Sequence, residues 1–180
     1  MLALSSCDGG SDPADPSPTA QPSASSSEPS TTPPTEKPVE PVLPAAATKA
    51  TEAGARAFIT YYFDVINYAQ ATGEVSTLNA LSASTCGACE DLAERLRNQY
   101  EDGGRIDGGV NSLKSISATE VTTTSKAAYG FQMKLDVFHD EQTLTDSDGD
   151  TEERGAATNA FTALIMWADG RWRLDVLQVG

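Results

Sequence analysis

Residues 48–72 read TKATEAGARAFITYYFDVINYAQAT and close on Gly73. Within them Gly54, Phe58, Tyr61, Tyr62, Val65, Ile66 and Ala69 recur at the three-and-four spacing of one face of an α-helix. Such a face is stable only when buried, so the rest of the fold must be what covers it. Thr48 is placed to cap the helix, Glu52 lies in its first turn where the helix dipole favours an acid, and Gly73 suits the C-terminal stop.

Downstream, a short helix is expected over Val75–Leu81 with Leu78 and Leu81 inward. A third is expected from Cys86 to Tyr100, capped by Thr85 and carrying Leu92, Leu96 and Tyr100 as its apolar line. The period then changes. Glycines 103, 104, 108 and 109 bracket a short edge segment, Arg105–Asp107. From Tyr129 the alternation is strict, with Tyr129, Phe131, Met133, Leu135 and Val137 on one side and Gln132, Lys134 and Asp136 on the other. A weaker strand covers Ser112–Thr124. Ala157–Trp167 and Trp172–Val179 flank Asp169-Gly170 and predict a hairpin, with Phe161, Ala163, Ile165 and Trp167 on one face and Trp172, Leu174 and Val176 on the other. Helices followed by an antiparallel meander predict an α+β class, a curved, cone-like sheet wrapped on the first helix.

Upstream the chain is different in kind. All ten prolines fall between Pro13 and Pro44, and residues 8–47 carry Val39, Val42 and Leu43 as their only large apolar groups. Such a stretch cannot offset the entropy of ordering itself and is expected to be a disordered tether, followed by one domain over 48–180. Fully extended it would reach about 120 Å, and as a coil about 35 Å. It begins with MLALSSC, in which Leu4-Ser5-Ser6-Cys7 resembles a bacterial lipobox. The apolar run before it is shorter than a secretory signal needs, so residues 1–7 read as a truncated signal, with Cys7 the lipidated residue and the membrane a partner through that anchor.

Net charge is −14, with six acids and one lysine in residues 1–47 and twenty acids and eleven bases in 48–180. Phosphate-backbone binding needs clustered Lys or Arg, and no cluster exists, which argues against nucleic acid as a partner. No run approaches transmembrane length.

The helix-then-sheet order is similar to the nuclear-transport-factor-2-like, or cystatin-like, cone fold. The motifs GARAFITYYFDVINYAQATG, LNALSASTCGAC and YEDGGRIDGG resemble an uncharacterised lipoprotein family of high-GC Gram-positive bacteria, a domain of unknown function, over Thr48–Gly180. The resemblance implies an exported, lipid-anchored domain on the outer face of the cell membrane. It brings no assigned activity and no catalytic residues.

Three constellations bear on chemistry. Cys86-Gly87-Ala88-Cys89 at a helix start suits a local disulfide, a reactive redox pair or half a zinc site. A thioredoxin-type site needs a βαβ unit and a cis-proline, and this domain has no proline; zinc needs further ligands, and His139 is the only histidine. A disulfide is therefore the favoured reading, as expected outside the cytoplasm. The acidic run Asp146, Asp148, Asp150, Glu152, Glu153 resembles a calcium loop, but Thr151 and Ala157 stand where the EF-hand pattern needs glycine and glutamate, so a solvated hairpin tip is expected. The third is a cavity between the first helix and the sheet, with Phe58, Tyr62, Tyr68, Tyr129, Phe131, Met133, Trp167 and Trp172 as candidate lining residues. No acid–base pair faces it. The sequence thus favours a non-catalytic domain, without metal or cofactor, that binds a small apolar ligand or an envelope protein. The alternatives are a cone-fold enzyme using Asp64, Tyr62 or His139 as base, and a thiol-redox lipoprotein.

Overall fold

The computed structural model describes residues 37–122 and 129–180. The anchor residue Cys7 lies outside them. Helix α1 spans Glu52–Thr72, and its cap is Thr51, whose side chain accepts from Gly54 N at 3.0 Å. Thr48, the expected cap, instead closes a 3₁₀ turn over Ala45–Thr48 by donating to Ala45 O. That turn packs on the domain with Ala47 buried, so the last part of the stretch read as tether lies against the fold.

Two glycines of α1 are needed for close approach. A Cβ on Gly54 would lie 2.0 Å from the carbonyl oxygen of Lys49, which also accepts from the indole Nε1 of Trp172 at 2.9 Å. Gly73 ends the helix at φ 76°, and the ring of Tyr100 lies where its Cβ would be. Helix α2 follows over Ser76–Leu81 and α3 over Gly87–Glu101. Cys86, rather than Thr85, occupies the cap position of α3.

Among the described residues the strands form two antiparallel sheets. The larger runs β2 (Asn111–Thr122), β3 (Tyr129–His139), β6 (Ala157–Ala168), β7 (Arg171–Val179) in that spatial order. The smaller joins β1 (Arg105–Gly108), β4 (Gln142–Thr145) and β5 (Thr151–Arg154). Asp146, Asp148 and Asp150 of the acidic run lie in the turn between β4 and β5, where Asp146 Oδ1 accepts from the backbone N–H groups of Asp148 and Asp150, while Glu152 and Glu153 stand on β5 itself. Asp169 and Gly170, both at positive φ, make the tight β6–β7 turn that the Asp-Gly pair predicts.

The core lies between α1 and the larger sheet. Phe131, Met133, Leu135 and Val137 on β3, Ala163 and Ile165 on β6, and Trp172 and Leu174 on β7 meet Phe58, Ile59, Tyr62 and Val65. At roughly 1.5–3 kcal/mol per buried large side chain, packing rather than intrinsic propensity holds α1 in place. One face assignment differs from expectation. Register shifts at Leu164/Ile165, so that Leu174 and Val176 pair with neighbouring residues and Asp175 bulges. The bulge reverses parity, and Leu177, not Val176, turns into the core.

Candidate functional site

Five of the side chains expected to line a space between α1 and the sheet are members of the buried core. Tyr62 and Met133 are fully buried, and Phe58, Phe131 and Trp172 are nearly so. Tyr129, Phe131, Trp167 and Trp172 form one aromatic cluster, with Trp167 edge-on to Trp172 at 5.1 Å between centroids. The Tyr62 hydroxyl shares a 2.8 Å hydrogen bond with Ser82 Oγ. Burial pushes its pKa up to about 12. Tyr68 is half-buried. None of these eight candidate lining residues borders the three surface grooves described below.

The candidate bases are not assembled. Tyr62 is in the core, while Asp64 is exposed on another side of α1, where partial burial raises its pKa. His139 stands at the end of β3, with Nδ1 3.0 Å from Asp140 O. Cys86 and Cys89 are joined as a disulfide across the first turn of α3, with Cα atoms 5.3 Å apart and both residues buried. Among the described residues no cluster of three or more His, Cys, Asp or Glu is arranged to hold a metal ion.

Three grooves stand out among the described residues. One runs between α1 and the β2 edge, lined by Arg56, Asp64 and residues 111–116, and is polar and shallow. A second lies by the α1–α2 turn, beside Tyr100 and Glu101. The third, of about 670 Å³, is a trough between α1 and α3 floored by the ends of β6 and β7. Its apolar lining is Phe63, Ile66, Leu92, Phe161, Leu177 and Val179. Phe63 and Phe161 meet edge-on at 6.1 Å on its floor, while Val179 is 72% exposed. Gln70 and Asn111 also border it. They belong to a satisfied network that ties α1 to the start of β2: Asn111 Nδ2 donates to Asn67 Oδ1 and Gln70 Oε1, and Gln70 Nε2 donates to Gly109 O.

The trough is the arrangement with chemistry to offer, since Leu92, Phe161 and Val179 remain half-buried or exposed along it, over a floor of buried apolar groups, in a volume suited to a small molecule. Sequence reading missed it. The available signal is Phe63, which beside Ile66 widens the apolar face of α1 beyond the stripe that packs on the sheet.

Fold and groove define a small α+β domain with a packed interior and an open apolar trough between two helices. The chain belongs to a family of unknown function, DUF6318, whose model matches residues 23–178. The match therefore takes in part of the proline-rich stretch as well as the domain. No curated protein matches. Among solved structures, the chain is similar to the intermembrane space region of the chloroplast protein ARC6, at 11% identity and a TM-score of 0.52, covering 72% of this chain and 95% of that one. A periplasmic fragment of TraM is matched at 10% identity and a TM-score of 0.42, covering 72% and 96%. Among the described residues no helix is long and apolar enough to cross a membrane.

Proposed function

We propose that this chain is a non-catalytic binding domain of the cell envelope, held outside the membrane by a lipid on Cys7 and working through the α1–α3 trough. The observation that carries the reading is the contrast between a buried core and an open trough. The aromatic face of α1 is buried in the core, Phe63 included, whereas Leu92, Phe161 and Val179 at the trough are half-buried or exposed. In this reading the fold is a filled cone of the nuclear-transport-factor-2 type. The scattered positions of Tyr62, Asp64 and His139 speak against acid–base catalysis, and the buried disulfide speaks for an oxidising compartment and a structural role. The LSSC motif and the family resemblance support export and lipidation in a high-GC Gram-positive bacterium.

The test is titration of the full chain with the neutral apolar dye Nile red. Saturable one-to-one binding is expected, and Ala88→Trp, an exposed trough position that a large ring would fill, should remove it. Absence of saturable binding, or binding unaffected by Ala88→Trp, refutes the trough as the working surface. Labelled palmitate should enter the wild-type protein in its host and not Cys7→Ala; an unlabelled wild type would refute the anchor.

A further inference from the structure

We propose that the trough takes a straight aliphatic chain ending in one anionic group, of the long-chain carboxylate class, with the head group at Arg95. The inference rests on the trough being a binding site and assigns its ligand class.

The two helical walls have the same order of side chains. On α1 the rungs are Phe63, Ile66 and Gln70, and on α3 they are Ala88, Leu92 and Arg95. Each row is apolar, apolar, polar, and each extends seven residues, about 10 Å of helix at 1.5 Å per residue. The hydroxyl of Tyr100 donates to Gln70 O, which brings the C-terminal turns of both helices together. The polar rungs therefore fall at one end of the trough and the apolar rungs at the other. Asn111, hydrogen-bonded to Gln70, joins the polar end. Leu177, Val179 and Phe161 extend the apolar floor, with the neutral amide of Gln178 beside them.

Charge decides the head group. In a chain of net charge −14, Arg95 is the one charged residue lining the trough. Among the described residues it has no ion-pair partner, a state it shares with Arg171, which does not line the trough, while Arg56, Arg97, Arg105, Arg154 and Arg173 each have one. A guanidinium beside neutral amides and an apolar channel fits a carboxylate in two-pronged geometry with the chain running away from it. A cationic head group would be repelled there. A neutral apolar molecule would leave the polar end unused.

The test is calorimetric titration of the full chain with octanoate, decanoate and dodecanoate below their micelle concentrations, and with decanol. Binding should tighten about two- to four-fold per methylene while the chain stays within the trough, about 0.4–0.8 kcal/mol each. Decanoate should bind about five-fold tighter than decanol, the scale of a partly solvated ion pair. Arg95→Gln, an exposed substitution, should abolish that preference while leaving decanol affinity unchanged. Ala88→Trp should weaken both ligands. Equal affinity for decanoate and decanol, or a preference that survives Arg95→Gln, overturns the head-group assignment and leaves the trough standing. Failure of every chain to bind where Nile red binds overturns the ligand class. Failure of all probes together overturns the trough itself.

Discussion

Gly54→Ala should destabilise the domain, although the same substitution in an exposed helix interior stabilises by about 1 kcal/mol. The reversal comes from the Lys49 carbonyl. The new Cβ would lie 2.0 Å from that oxygen, 2.9 Å from Ala46 O and 3.0 Å from Lys49 C, all backbone atoms that no side-chain rotation can clear. The Ala45–Lys49 segment must then lift from α1. Overpacking of this kind costs about 1–3 kcal/mol. The lift also parts Lys49 O from Trp172 Nε1, leaving an indole N–H on a nearly buried side chain without its acceptor, for a further 1–2 kcal/mol or so. Less the propensity gain, the net loss is about 1–4 kcal/mol. At roughly 3 °C per kcal/mol for a domain of this size, the melting temperature should fall by about 3–12 °C. Ala71→Gly, at an exposed position on the same helix, calibrates the propensity term and should cost about 1 kcal/mol. Thermal melts followed by circular dichroism, with tryptophan emission as a second probe, would read both. A Gly54→Ala protein that melts at or above the wild type would show that the 3₁₀ turn does not rest on α1, and the packing argument for residues 45–49 would fail.

Two further outcomes follow from the core. The Cys86–Cys89 bridge closes a very short loop, so its removal by Cys86→Ala/Cys89→Ala should cost only about 2 kcal/mol on chain-entropy grounds; melting with and without reductant measures this, and a melt insensitive to reductant would contradict a stabilising bridge. Tyr62 contributes a pH dependence of defined sign: its folded pKa of about 12 lies above the ordinary value of 10.0, so its contribution is complete below pH 10 and is lost as pH rises through 12. The span corresponds to about 3 kcal/mol. Tyr62→Phe should cost about 1 kcal/mol at neutral pH through the lost Ser82 hydrogen bond and should flatten urea stability between pH 10 and 12; an unchanged alkaline slope would refute the assignment.

The sequence made some of this legible and hid the rest for physical reasons. The body and C-terminal stop of α1 and the inward face of β3 are legible because each element buries a face, so periodicity reports burial directly, while the start of α1 is not, since the 3₁₀ turn before it also packs on the fold. The smaller sheet was missed apart from its first segment. Its strands RIDG, QTLT and TEER are four residues each, too short for alternation to register. Alternation counted forward from Trp172 groups Val176 with Leu174 because it cannot see a bulge, which register against β6 alone reveals. Aromatic side chains on a core face, such as Phe58, Tyr62, Phe131 and Trp172, suit a cavity wall and a packed core equally, so sequence alone does not divide the two.

Whether the aromatic face of α1 plugs a core or lines a pocket has a divided answer, and the division explains the trough. A helix apolar over most of its circumference must face more than one neighbour. The stripe through Phe58, Tyr62, Val65 and Ala69 is buried in the main core. The edge through Phe63, Ile66 and Gln70, buried at its first two positions, borders the trough on the α3 side, and Tyr100 ties α3 to α1 near its C-terminal end by donating to Gln70 O. Two helices fixed at one end and supported from below by the same sheet leave a wedge between them. The wedge is apolar because its walls are the margins of faces built for burial. Its one charge is Arg95, on the exposed side of α3, where a cation costs little in the free protein and becomes useful when an anion arrives.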